Sequence, residues 1–360
     1  MSLTLRKAAA GALANLYEPL ARPLLFGLDP ESAHHLTLVG LKWAHSTGLD
    51  RLLAPDISSR PVEVMGLKFP NRLGLAAGLD KEGTCVDTFG AMGFGFVEVG
   101  TITPRSQPGN PKPRLFRIPE AEAIINRMGF NNPGIEQGVE NVRRRKFGGV
   151  LGFNIGKNKD TPNSRAIDDY LIGLRAAYPV ADYVAVNLSS PNTAGLRDLQ
   201  EESACRELLQ RLKEEQLILG SQHSNYVPIV IKIAPDLSAD HVQMLAGLFL
   251  ENEIDGVIAT NTTIARTFVE DHPYAREAGG LSGAPVTDAS TAVIRILAKA
   301  LNGVIPIIGV GGIMNGHDAL EKLRAGAELV QIYSGLVYRG PGLISDVLQS
   351  IAGHDAFGER

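Results

Sequence analysis

An α/β fold of the (β/α)8 TIM-barrel class with an N-terminal two-helix extension is predicted from three observations. Short apolar runs alternate with helical stretches along most of the chain, and eight such runs can be counted. The runs are continuously apolar, as strands buried on both faces of a parallel sheet are. A chain of 360 residues, 44% hydrophobic and 21% charged, is long and apolar enough for one large core. A doubly wound open sheet is the alternative, weakened because no Gly-x-Gly-x-x-Gly follows the first run.

Residues 3 to about 48 read as two helices broken at Phe26-Gly27-Leu28-Asp29-Pro30. In the first, Leu5, Ala9, Leu13, Leu16 and Leu20 recur at helical spacing behind the basic start Arg6-Lys7. In the second, Asp29 is a suitable N-cap and Pro30 a suitable first residue, and Ala33, Leu36, Val39 and Trp43 carry an apolar stripe to Gly48. Such a pair either packs on its own domain, the commoner fate, or lies on a membrane surface, which the basic start and Trp43 favour. A Pro- and Ser-containing linker, Pro55 to Pro61, divides a module of residues 1–50 from a barrel domain of residues 51–360. The barrel domain opens with a hairpin in which Val62 to Val64 and Leu67 to Phe69 flank Met65-Gly66.

The eight runs follow: Leu73 to Ala77, Phe96 to Val99, Val150 to Ile155, Tyr183 to Leu188, Ile229 to Ile233, Gly256 to Ala259, Ile305 to Val310 and Glu328 to Tyr333. Between them lie helix candidates at Ala166 to Ala177, Ser203 to Leu217, Ala239 to Asn252, Ala289 to Leu301 and His317 to Ala325.

Composition removes several function classes. A net charge of −4 gives no positive field for nucleic acid. Two cysteines, Cys85 and Cys205, make no disulfide framework and suit a reducing compartment. No apolar stretch approaches the roughly 18 residues that span a bilayer, so membrane contact is expected to be peripheral. The N-terminal stretch is too short, too alanine-rich and too soon interrupted by Glu18 and Arg22 for a signal peptide. No metal-ligand spacing occurs, and the histidines fall away from strand ends.

In a barrel the chemistry gathers at the C-terminal ends of the strands. Those ends are rich in lysine, asparagine and glycine: Ala77 to Lys81, Gly100-Thr101, Asn154 to Gly156, Asn187 to Thr193, Lys232 to Pro235, Thr260 to Thr262, Gly309 to Gly312 and Tyr333 to Gly335. Amide side chains suit a ring built of amides and imides, whereas a glycosidase pair of carboxylates is missing. The glycine loops after strands seven and eight match the phosphate position of such barrels, although any one of them could simply permit a tight turn. Ser190, with no histidine nearby, is a weak base unless activated, and Ser-Pro-Asn is also ordinary turn chemistry.

Four motifs, taken together, resemble the dihydroorotate dehydrogenase family, in its class 2, quinone-linked form. They are Gly74-Leu75-Ala76-Ala77-Gly78-Leu79-Asp80-Lys81, Asn126-Arg127-Met128-Gly129-Phe130-Asn131-Asn132, Asn187-Leu188-Ser189-Ser190-Pro191-Asn192-Thr193 and Gly309-Val310-Gly311-Gly312-Ile313. The resemblance spans about Leu28 to Tyr338 and implies FMN as cofactor. It implies FMN contacts at Ala77, Gly78, Leu79, Asp80, Lys81, Thr101, Asn154, Asn187, Lys232, Thr260, Gly283, Gly312, Tyr333 and Ser334. Substrate contacts are implied at Lys81, Asn126, Arg127, Met128, Gly129, Phe130, Asn187, Asn192, Asn261 and Thr262. Ser190 takes the place of the catalytic base, with Thr193 as proton relay and Phe130 limiting solvent. His34 and Arg117 match residues that meet a quinone head, at the end of an apolar funnel made by the N-terminal helices.

The implied reaction is oxidation of (S)-dihydroorotate to orotate, in the pyrimidine pathway, with ubiquinone or menaquinone reoxidising the flavin. A class 1-like soluble enzyme using fumarate or NAD is the rival; a serine at position 190, where that class carries cysteine, and the N-terminal helices count against it. The expected setting is a monomer on the cytoplasmic side of a bacterial inner membrane, since no Arg/Ser-rich import presequence is evident.

Overall fold

Strands whose alternate residues face opposite ways can bury both faces only between a filled lumen and a shell of helices. The computed structural model, which describes residues 16–52 and 60–357, has this arrangement. The strands are β1 (Val62–Val64), β2 (Leu67–Phe69), β3 (Leu73–Leu75), β4 (Phe96–Ile102), β5 (Leu115–Ile118), β6 (Ala123–Asn126), β7 (Val150–Ile155), β8 (Tyr183–Asn187), β9 (Ile229–Ile233), β10 (Gly256–Ala259), β11 (Gly280–Gly283), β12 (Ile307–Val310) and β13 (Leu329–Ile332). Eight of them, β3, β4, β7, β8, β9, β10, β12 and β13, close in that order into a parallel barrel. Every apolar run read from the sequence supplies one of these strands. The first stops at Leu75 rather than Ala77, the second extends past Val99 to Ile102, and the seventh begins at Ile307.

The helices are α1 (Arg22–Phe26), α2 (Pro30–Thr47), α3 (Val86–Ala91), α4 (Ile135–Arg143), α5 (Ala166–Ala177), α6 (Glu202–His223), α7 (Ala239–Glu251), α8 (Thr287–Leu301), α9 (Gly316–Arg324), α10 (Ser334–Arg339) and α11 (Gly342–Phe357). Outward strand residues such as Val97, Val99, Leu151 and Phe153 join the helices in the main apolar core. Inward residues fill the lumen. Phe96 fits because Gly74 stands beside it, where a Cβ would fall 2.3 Å from its ring, and Phe69 of the hairpin meets Phe96 edge-on at 5.2 Å, closing the N-terminal end. Fully burying an aromatic ring of this size contributes about 3 kcal/mol.

Two features were not read from the sequence. One is the antiparallel sheet β5–β6–β11, whose strands have only four residues each and leave the barrel through the loops after β4 and β10. The other is the set α3, α4, α10 and α11; three of these are too short or too glycine-interrupted for a clear 3.6-residue period.

The N-terminal helices are tied to the barrel by specific bonds. Asp29 caps α2 by accepting from the Ser32 N–H at 2.8 Å, and Gly48 ends the helix with a positive φ of 75°. Glu31, buried, accepts from Arg114 Nη2 at 2.7 Å and Nε at 3.1 Å. Tyr17 donates its hydroxyl to the Val337 carbonyl at 2.7 Å, and Arg117 donates to the carbonyls of Leu25 and Phe26. The opposite face is apolar and exposed: Leu24 is 76%, Val39 63% and Trp43 62% exposed. The first-helix reading through Leu5, Ala9 and Leu13 lies outside the described residues, as does most of the Pro55 to Pro61 linker. No helix among the described residues is long and apolar enough to cross a membrane.

Candidate active site

Because every second residue of a barrel strand faces the lumen, polar residues at the strand ends converge on one point. They line a cavity of about 1050 Å³ above the apolar plug. Its floor carries Lys232 from β9, Gln331 from β13 and Thr101 from β4, and its walls carry Asn187, Asn261, Thr260 and Ser190. The amides are set by one another. Thr101 Oγ1 donates to Asn154 Oδ1 at 2.6 Å and accepts from Asn187 Nδ2 at 2.9 Å. Asn261 Nδ2 donates to Ser189 Oγ at 3.0 Å, and Asn192 Nδ2 donates to Asn126 Oδ1 at 3.2 Å.

Four polar atoms here have no hydrogen-bond partner among the described residues: Asn192 Oδ1, Thr193 Oγ1, Thr262 Oγ1 and Gln331 Oε1. Buried polar atoms without partners are costly, so a cluster of them beside a cavity fits a bound polar ligand. Ser190 Oγ accepts only a long bond from the Asn192 N–H, 3.3 Å, and faces the cavity. Burial lowers the Lys81 ammonium to about 8, against the upward pull of Glu31. A half-buried, partly desolvated cation at a cavity wall suits an anionic ligand.

The glycine loop forms a cradle that only glycine permits. Gly312 has φ +73°, and a Cβ there would stand 2.1 Å from Thr287 Oγ1. The Gly311-Gly312 loop lies beside Ser334 and Gly335 along the same cavity, leaving backbone free to approach a phosphate.

A second cavity, of about 1060 Å³, lies between α1, α2 and the barrel. Its lining is almost wholly apolar, with Leu38, Leu41, Phe89 and Met92 among it, and its polar members include His34 and Arg117. Burial and the nearby charge of Lys81 hold His34 down to about 3, so the imidazole is neutral at ordinary pH. Arg117 lies 4.4 Å over the Phe26 ring. Tyr333 is the residue common to both linings.

Most residues singled out from the sequence meet in the first cavity: Ala77, Gly78, Lys81, Thr101, Asn126, Met128, Gly129, Phe130, Asn187, Ser190, Asn192, Lys232, Thr260, Asn261, Thr262, Gly283, Gly312, Tyr333 and Ser334. Others stand apart. Leu79 lines the apolar cavity. The Asp80 carboxylate is turned away, accepting from the Thr84 and Cys85 N–H groups at the start of α3. Asn154 lies below the lining, bonded to Thr101 and Glu98. Arg127 points outward, paired with Glu277 at 2.5 Å and lying over the Phe116 ring. Thr193 is buried beside the lining. Missed from the sequence were Gln331, Ser282 and Val286 of the lining, and Glu98 beneath it. The alternation along β4 and β13 would have directed Glu98 and Gln331 into the lumen.

Comparison with known proteins places these features in a group. A family model described as "Dihydroorotate dehydrogenase" matches residues 60–354. A dihydroorotate dehydrogenase (quinone) of Ralstonia nicotianae is 56% identical over 343 residues, 94% of this chain and 100% of that one. Another from Chromobacterium violaceum is 58% identical over 334 residues, 93% of this chain and 97% of that one. Among solved structures, the crystal structure of DHODH from Eimeria tenella in complex with ferulenol superposes with a TM-score of 0.84 at 38% identity, covering 93% of this chain and 96% of that one.

Proposed function

The chain belongs to the dihydroorotate dehydrogenase family, in its quinone-dependent class, and on that premise we propose that the barrel cavity oxidises (S)-dihydroorotate on FMN while the apolar cavity receives the quinone. The oxidation of dihydroorotate with a quinone acceptor belongs to pyrimidine biosynthesis, and fumarate or NAD is not the acceptor of this class. The observation that carries the two-cavity reading is the contrast of linings: one polar and amide-rich, one apolar, meeting at Tyr333.

The residues fit FMN. The Gly312 cradle and Ser334 suit its phosphate, and Ala77, Gly78, Thr101, Asn187, Lys232, Thr260, Gly283 and Tyr333 line the space for its ring and ribityl chain. When bound, FMN supplies the two-electron acceptor that links the two substrates. On the substrate side, Lys81 pairs with the carboxylate, and Asn126, Asn192, Asn261 and Thr262 hydrogen-bond the ring amides. Arg127 acts from outside, by holding the Asn126 to Phe130 turn, and Leu79, Asp80 and Asn154 act as supports of the FMN residues. Ser190 Oγ removes the proton from C5, and Thr193, whose hydroxyl is otherwise unpaired, passes it on while Phe130 screens the base from bulk water.

Residues 1 to about 50 form the membrane and quinone module, and residues 51–360 the FMN barrel. The exposed apolar face of α1 and α2 lies on the lipid surface of a bacterial inner membrane, on the cytoplasmic side, with the chain as a monomer. His34 and Arg117 meet the quinone head.

An anaerobic titration tests this. Dihydroorotate should bleach the flavin of the purified protein, and a ubiquinone analogue, but neither fumarate nor NAD, should restore its colour. A flavin untouched by dihydroorotate would overturn the reading.

A further inference from the structure

The lumen of a barrel is normally filled with apolar side chains, and a fully buried carboxylate there needs a reason. Glu98 of β4 is 0% exposed and sits directly beneath the cavity floor. Its Oε1 accepts from Asn154 Nδ2 at 2.8 Å, and its Oε2 accepts from Tyr183 OH at 2.9 Å and Gln331 Nε2 at 2.9 Å. The Lys232 ammonium stands 3.7 Å from Oε1. One carboxylate thus binds β4 to β7, β8, β9 and β13. The space for it comes from Gly152, the register partner of both Glu98 and Tyr183; a Cβ at Gly152 would fall 2.2 Å from the Tyr183 ring.

Three neutral donors already satisfy the carboxylate, so the position of Lys232 beside it is a matter of charge. We propose that Glu98 is a positioning residue that offsets the Lys232 cation at the cavity floor, so that negative charge on the bound flavin is held firmly enough to form and loosely enough to be passed on. Lys232 alone would hold that charge too tightly, favouring reduction by dihydroorotate and slowing return of the electrons to the quinone. The proposal rests on the FMN reading above.

Sulfite, an anion that adds to oxidised flavins, reads the charge balance independently of turnover. In the FMN holoenzyme, Glu98→Gln should tighten sulfite binding tenfold or more, leave the dihydroorotate half-reaction no slower and slow reoxidation by a ubiquinone analogue. Tyr183→Phe removes one bond to Glu98 but no charge, and should leave sulfite affinity within threefold. A merely structural role would weaken sulfite binding and slow both half-reactions, and that result overturns the proposal. Should Glu98→Gln alone not fold, Lys232→Met is compared with Glu98→Gln/Lys232→Met: tenfold tighter sulfite binding in the double supports the role, and equal binding overturns it. A flavin that dihydroorotate cannot bleach would overturn the site reading itself; a bleachable flavin with unchanged sulfite affinity overturns only the role of Glu98.

Discussion

Lys81, on the wall of the barrel cavity and proposed to pair with the substrate carboxylate, makes ligand affinity depend on pH in a direction that can be worked out. Burial lowers Lys81 from its ordinary 10.5 to about 8. Orotate carries a carboxylate, and pairing with it favours the charged ammonium, so the bound state returns toward the ordinary value. Below pH 8 the free site is already protonated and affinity is level. Above it, binding must take up a proton, and affinity falls about tenfold, or 1.4 kcal/mol, per pH unit until the bound value is reached. From pH 7 to 9.5 the dissociation constant of orotate should therefore rise about 30-fold, working with those two values. The assay is the change in flavin absorbance on titrating oxidised holoenzyme with orotate, in parallel with Lys81→Met. The variant should bind more weakly at pH 7, and its profile should lack the 30-fold component; titration of the ligand itself is common to both and cancels in the ratio. A wild-type profile parallel to that of Lys81→Met would refute the reasoning.

Other expectations are independent of this one. Ser190→Ala should slow bleaching by dihydroorotate at least 100-fold, the upper part of what a lost general base costs being larger still, with FMN content and quinone reoxidation unchanged in stopped-flow traces. Glu31→Ala leaves Arg114 buried without its anion; denaturation should show about 3–5 kcal/mol of destabilisation if the helices unfold with the barrel, and quinone turnover should fall more than dihydroorotate bleaching. Lys322 is fully buried, donates to Thr287 O and Thr291 Oγ1, and burial lowers it to about 7. The unfolded chain then binds the extra proton between pH 7 and 10.5, so this group makes stability rise with pH by up to about 1.4 kcal/mol per unit. Urea denaturation of Lys322→Met at pH 7 and 9 should lack that rise. Trp43→Glu, on the exposed face of α2, should reduce sedimentation with lipid vesicles while sparing bleaching in detergent-free solution.

The barrel was legible because its strands are buried on both faces: runs such as Val150 to Ile155 have no competing reading once eight of them recur. The β5–β6–β11 sheet was not, since four-residue strands such as Ala123 to Asn126 carry too short a pattern, and their pairing with Gly280 to Gly283 joins residues more than a hundred positions apart. At the site, strand ends named their lumen-facing residues correctly where a polar residue stood at or next to the last apolar position, as at Lys232, one before the end of β9, and Thr260, one after the end of β10. They misjudged turns. Leu79 and Asp80 follow Gly78 in sequence, but the chain turns at its φ of 107°, sending Leu79 to the apolar cavity and Asp80 to the Thr84 and Cys85 N–H groups just before α3. Glu98 was passed over because it lies inside an apolar run, where a charge reads as noise until its four neighbours are seen together.

Tyr333, standing alone between two chambers, separates solubilities as well as ligands. On the two-cavity reading proposed above, a water-soluble acid and a lipid-soluble ring each enter by a mouth suited to it, and neither crosses the other's territory. Electrons would then be the only traffic through the partition, and the two reactants need never be present together. An apolar compound lodged under the N-terminal helices should accordingly leave the door for the acid open, and its inhibition should persist however much dihydroorotate is added.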